Sequence, residues 1–170
     1  LPLHVSLGSG HYDNSIPEAT AALTVFDYVT RQAARIDQSV FATTGSPVAL
    51  LAAMNLLQDN RGRYGLSSSY NGKEVEFYGP DPLAYAAGAN ASAHLHTQLA
   101  NVLVGRFQDE GLWLAEALQR PSVATIGGTS DPTAVALMQL SLDDAIIGED
   151  LFAAGAYLHR PIHLGSLAAQ

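Results

Sequence analysis

The chain has 170 residues, 48% of them hydrophobic, with 16 acidic side chains against 8 basic ones and a net charge of −8. That length supports one substantial core and one domain, the charge repels a nucleic-acid backbone, and no apolar run reaches the ~18 residues of a membrane-spanning helix. The absence of cysteine excludes disulfides, thiolate catalysis and zinc-thiolate sites together.

Leu1 to Leu7 alternates apolar residues with Pro2, His4 and Ser6, the period of a strand with one wetter face, and ends in Gly8-Ser9-Gly10. Pro17 to Ile36 places Ala19, Ala22, Leu23, Phe26, Val29, Ala33 and Ile36 at spacings of three and four, an amphipathic helix lying on a sheet. Ser39 to Thr43 is the second strand and Pro47 to about Gln58 the second helix, with Ser46 as its cap. Asp59 to Lys73 is a long polar segment, expected to be a solvated loop or a partner-binding one. Glu74 to Tyr78 and Pro82 to about Gln98 form the third strand and helix, followed by Asn101 to Val104 and Asp109 to Gln119, with Trp113 in the core or at an interface. In S-V-A-T-I-G-G-T-S-D-P, Ser122 to Ile126 is a fifth strand. Gly127 and Gly128 are expected to turn the backbone, and Asp131 and Pro132 to open a helix to about Gln139. Asp144 to Ile147 and Glu149 to Leu158 complete the series, with acids in the last helix's first turn, where its dipole favours them.

Six strands alternating with six helices require crossover connections. The expected architecture is therefore a three-layer α/β/α sandwich, Rossmann-like, with a mostly parallel sheet. The strand order is not readable, although one switch point is the common outcome, and ligands of such sheets bind beyond the carboxyl ends of the strands. Phosphate sites there need free N–H groups at helix N-termini, yet three helices begin with proline and have caps that consume further donors. The acids at this edge (Asp13, Asp81, Asp109, Asp131, Glu149 and Asp150) would repel an anion and could attract a divalent cation, but helix caps and first-turn acids explain each of them alone.

Gly8-Ser9-Gly10 follows a strand and precedes a helix, but the rest of a dinucleotide fingerprint is missing: no further glycine enters the helix, and Thr43-Thr44 stand where an acid would end the second strand. A glycine turn is the simpler reading, and no cofactor is expected. Ser9, His11 and Asp13 allow a hydrolase reading, weakened because alternate residues of a loop rarely hold triad geometry and no G-x-S-x-G elbow is present. His94 and His96 lie two apart on a helix and point to different faces, unlike a metal-binding pair.

The residues D-D-A-I-I-G-E-D-L-F-A-A-G-A-Y-L (Asp143 to Leu158), with E-V-E-F-Y-G-P-D-P-L-A-Y-A-A-G (Glu74 to Gly88), N-V-L-V-G-R-F (Asn101 to Phe107) and I-G-G-T-S-D-P (Ile126 to Pro132), resemble an uncharacterised prokaryotic family of membrane-associated proteins, known only as a domain of unknown function. The resemblance implies an α/β domain attached to transmembrane segments outside these 170 residues; it brings no catalytic residue. A chain that begins at Leu1 without methionine also suggests a piece of something longer.

Two functions are expected from different classes. The first is a non-enzymatic assembly domain that self-associates or docks to a membrane partner through small-residue helix surfaces including Tyr85, Gly88, Ala89, Leu151, Phe152 and Tyr157. The second is a small-molecule or nucleotide sensor using Gly8, Ser9, Gly10, Gly105, Arg106, Gly127, Gly128 and Thr129, in which Arg106 meets an anion. A hydrolase using Ser9 and His11 is the third.

Overall fold

The computed structural model describes residues 1–10 and 16–159. Its strands are β1 (Leu3–Ser6), β2 (Val40–Thr44), β3 (Val75–Phe77), β4 (Ala100–Val104), β5 (Ala124–Thr129) and β6 (Asp144–Ile147). Between and after them run α1 (Ile16–Arg35), α2 (Pro47–Arg63), α3 (Pro82–Leu95), α4 (Glu110–Leu118), α5 (Pro132–Met138) and α6 (Asp150–His159), with a short 3-10 turn at Ser67–Ser69.

All five neighbouring strand pairs are parallel, and the sheet order is β3-β2-β1-β4-β5-β6. The chain builds outward from β1 to β3, then returns to pair β4 on the other side of β1. That single reversal puts the switch point between β1 and β4, where successive crossovers lead away from each other. On one face α1 packs between α2 and α6; on the other α4 packs between α3 and α5. The result is the expected three-layer, Rossmann-like sandwich.

Each face has its own core. Val5, Leu7, Val40, Ala42 and Val104 meet Ala22, Val25, Phe26, Leu57 and Leu151 under α1, α2 and α6. Leu103 and Phe107 meet Tyr85, Ala89, Leu114, Leu118 and Met138 under α3, α4 and α5. Alanine is frequent at these contacts, so the helices lie close to the sheet.

Several expectations are corrected by burial. β1 has no wet face: His4 and Ser6 are as buried as Val5, because the central strand of a crossover sheet is covered on both sides. α1 is rotated from the expected stripe: Glu18 and Ala21 are buried, Ala19 is exposed, and Ile36 lies beyond the helix end at 75% exposure. Trp113 is 63% exposed and belongs to no core. α3 stops at Leu95, with His96 as its C-cap.

α2 continues past Gln58 to Arg63, so the segment from Asp59 is helix before it is loop. Tertiary partners account for the extension. Asn60 Nδ2 donates to Asp27 Oδ1 at 2.9 Å and Thr30 Oγ1 at 2.9 Å, and Arg61 Nη1 donates to Ser69 Oγ at 3.1 Å.

Gly127 and Gly128 do not turn the chain; they lie inside β5, which runs on to Thr129. A Cβ on Gly127 would fall 2.1 Å from the Leu103 carbonyl oxygen, and one on Gly128 2.1 Å from that of Ile146. Here glycine permits close approach of neighbouring strands, the second use of glycine in a strand. Gly127→Val should therefore lower stability in urea denaturation by at least ~2 kcal/mol, because backbone must move. Ala124→Val, at an exposed position of the same strand, should stay within ~0.5 kcal/mol.

Candidate functional site

The carboxyl edge at the switch point is where a ligand is expected, and its loops are locked together by backbone. Gly8 and Gly10 sit at φ +83° and +67°, in the left-handed region. The Ser9 N–H donates to the Arg106 carbonyl at 3.3 Å, and the Gly45 N–H to the Gly8 carbonyl at 3.0 Å. A Cβ on Gly45 would lie 2.0 Å from the Ser9 carbonyl oxygen, and one on Gly105 2.6 Å from that of Leu7. The glycines of the β1, β2 and β4 loops thus bring three backbones into contact.

Ser9 is buried, and its hydroxyl donates to Glu110 Oε1 at 2.8 Å. Glu110 opens α4 and is equally buried; its other oxygen accepts the Gln108 N–H at 3.1 Å. This carboxylate stands at a helix N-terminus, the position that favours an anion, so the chain supplies its own. Thr129, also buried, receives the Phe107 N–H at 3.3 Å and fastens the β4 loop to β5.

The starts of α2, α3 and α5 are capped as expected. Ser46 accepts from Ala49 N at 3.2 Å, Asp81 from Ala84 N at 2.8 Å, and Asp131 from Thr133 N and Ala134 N, each at 2.9 Å. Pro47, Pro82 and Pro132 occupy first-turn positions. Among the described residues, a hollow of about 40 Å³ lies at the switch point beside Leu7, Gly10, Ala22, Leu23, Gly105 and Arg106, below the ~300–1,000 Å³ of small-molecule pockets.

Beneath this edge the sheet face under α3 and α4 carries a polar layer that the sequence did not disclose. His4 Nδ1 lies 3.2 Å from Asn101 Oδ1, and His4 Nε2 3.1 Å from Thr43 Oγ1. Asn101 Nδ2 donates onward to Thr125 Oγ1 at 3.2 Å. Because the Asn101 amide group is spent as a donor there, its oxygen must accept from His4, which places the proton on Nδ1 and makes Nε2 the acceptor of the Thr43 hydroxyl. Tyr85 OH closes the layer, 2.5 Å from Ser6 Oγ and 3.3 Å from Thr43 Oγ1. Burial pushes the tyrosine up to about 12, with the Ser6 and Thr43 hydrogen bonds opposing, so it remains a neutral donor. The one available signal was that His4, Thr43, Asn101 and Thr125 fall on one side of four neighbouring strands.

A sequence profile described as a domain of unknown function, DUF6754, matches residues 5–170. The chain belongs to the DUF6754 family. No curated protein matches it.

The DUF6754 domain distributes the expected interface residues unevenly. Tyr85 and Ala89 are buried against its own α4 side, and Gly88 lies under the ring of Tyr78, where a Cβ would be 2.3 Å from the ring carbons. Leu151 is buried, whereas Phe152 and Tyr157 on α6 are exposed, the latter at 72%. Of the expected ligand residues, Gly8, Ser9, Gly10, Gly105 and Arg106 come together at the switch point with Thr129 beside them, and Gly127 and Gly128 sit within the sheet. His11 and Asp13 lie outside the described residues. Among the described residues, no group of three or more His, Asp or Glu side chains is placed to hold a metal ion. His96, expected on a different helix face from His94, is the C-cap of α3 and packs its ring 4.8 Å from that of Phe41.

Two measurements check this edge and the layer below it. Ser9→Ala removes a donor from a buried carboxylate and should cost ~1–3 kcal/mol of stability, read by urea denaturation. His4 is pushed down from 6.5 to about 4 by burial, with the Asn101 hydrogen bond opposing. Between those values the unfolded chain binds a proton that the folded one refuses, so stability is fully present above pH 6.5 and is lost as pH falls toward 4. The wild type should lose ~2–3 kcal/mol more than His4→Gln between about pH 7 and 4.5.

Proposed function

We propose that this DUF6754 domain acts by binding other protein rather than by turnover, as an assembly or interaction module of a membrane-associated protein. The reading is supported by the contacts at the switch point: among the described residues, three loop backbones and the Ser9–Glu110 pair meet where enzymes of this architecture put their substrates. Ser9, the nucleophile of the hydrolase reading, is 1% exposed, which shuts its hydroxyl from a substrate. The association with membranes rests on the resemblance of the motifs from Glu74 to Leu158 and would come from segments outside this chain, since no described helix is long and apolar enough to cross a bilayer.

The inner residues of α3 are spent within the protomer, so the association surface in this reading is the outer side of α6, with Phe152 and Tyr157. Aromatic side chains of this kind supply most of the binding energy where proteins meet. The sensor reading rests on Arg106 beside the small hollow, with Gly8, Gly10 and Gly105 around it; it requires those loops to part before a ligand enters.

Light scattering on the isolated chain tests the assembly reading. The expected mass is at least twice 17.9 kDa at ~1 mM chain, with Phe152→Ser/Tyr157→Ser shifting it to a single chain. A strict monomer at that concentration would count decisively against self-association.

A further inference from the structure

The end of the sheet opposite the switch point also carries a cavity. Between the C-terminal ends of α1 and α2 and the 3-10 turn lies a cavity of about 340 Å³, within the size range of small-molecule pockets. Ala34, Val40, Leu57 and Leu66 give it an apolar wall, and Asp37 and Arg61 bring charge to it.

Arg61 is the distinctive group. It belongs to the last turn of α2, and its side chain is only 10% exposed. Nη1 is committed, donating to the Ser69 carbonyl at 3.2 Å and to Ser69 Oγ at 3.1 Å, with Glu74 Oε1 at 3.5 Å. Nε and Nη2 have no acceptor among the described residues and are not fully enclosed. A guanidinium edge held rigid at one nitrogen and open at the other two is the fork that matches a carboxylate.

The surroundings select what else that ligand carries. Asp37 and the negative ends of two helices, with Glu74 already paired to Arg61 at 3.5 Å, would repel a dianionic phosphate but attract an ammonium group. The apolar wall leaves room for a short aliphatic side chain. The geometry points to a small aliphatic amino acid as the ligand of this cavity: its carboxylate on Arg61, its ammonium toward Asp37, its side chain against Ala34 and Leu57. This site is independent of the assembly reading and lies at the other end of the sheet.

Nuclear magnetic resonance titration of the ¹⁵N-labelled chain with L-leucine, leucinamide and N-acetyl-leucine tests it. L-leucine should shift amides in residues 34–40 and 61–74 with saturation below ~20 mM, and each derivative, lacking one charge, should bind at least about tenfold more weakly. Asp37→Asn suits the substitution, because asparagine tolerates the φ of +53° found there. It should weaken L-leucine about tenfold and leave N-acetyl-leucine unchanged. No shift at ~20 mM, equal binding of leucinamide, or shifts at the switch point instead would overturn the assignment.

Discussion

Backbone contact closer than a Cβ atom allows is the constraint on which this structure turns. At the carboxyl edge Gly45 and Gly105 lie against carbonyl oxygens of the β1 loop, and Gly8 lies against that of Arg106. Within the sheet, Gly127 and Gly128 do the same against β4 and β6. A Rossmann-like topology is usually an arrangement for opening a crevice at the switch point; here the described loops of that edge are held in backbone contact.

The closure is reinforced by chemistry as well as shape. Glu110 brings a carboxylate to a helix N-terminus and satisfies it with the Ser9 hydroxyl and the Gln108 N–H, so the dipole that would attract a foreign anion already has an internal one. Below it, the Thr43–His4–Asn101–Thr125 layer with Ser6 and Tyr85 satisfies polar groups inside the sheet's second core. Such a layer fixes one strand register, because a slip would leave several buried donors without acceptors. The polar chain is thus read most simply as a specification of the central strands β2, β1, β4 and β5.

The local part of this organisation was legible in the sequence. Ser46-Pro47, Asp81-Pro82 and Asp131-Pro132 announce capped helix starts because cap and proline act within one turn, and six strand–helix units imply a parallel sheet. What failed was whatever depends on distant neighbours. Period-two alternation in Leu1 to Leu7 says which residues share a face, and burial of His4 and Ser6 depends on helices far along the chain. Gly127-Gly128 reads as a turn because glycine serves turns and close approach alike. Asn60 and Arg61 look like loop residues until Asp27, Thr30 and Ser69 are seen to pair with them. The Ser9–Glu110 contact spans a separation of 101 residues and has no local signature. The family resemblance pointed to the right family and carried no site with it.

Closure of the carboxyl edge is examined most directly by amide shifts of the ¹⁵N-labelled chain during titration with NAD and with ATP. The closed edge predicts that Gly8, Ser9, Gly45, Gly105 and Arg106 keep their positions at millimolar nucleotide. Saturable shifts concentrated on those five amides would show that the loops part for a ligand and would contradict the account.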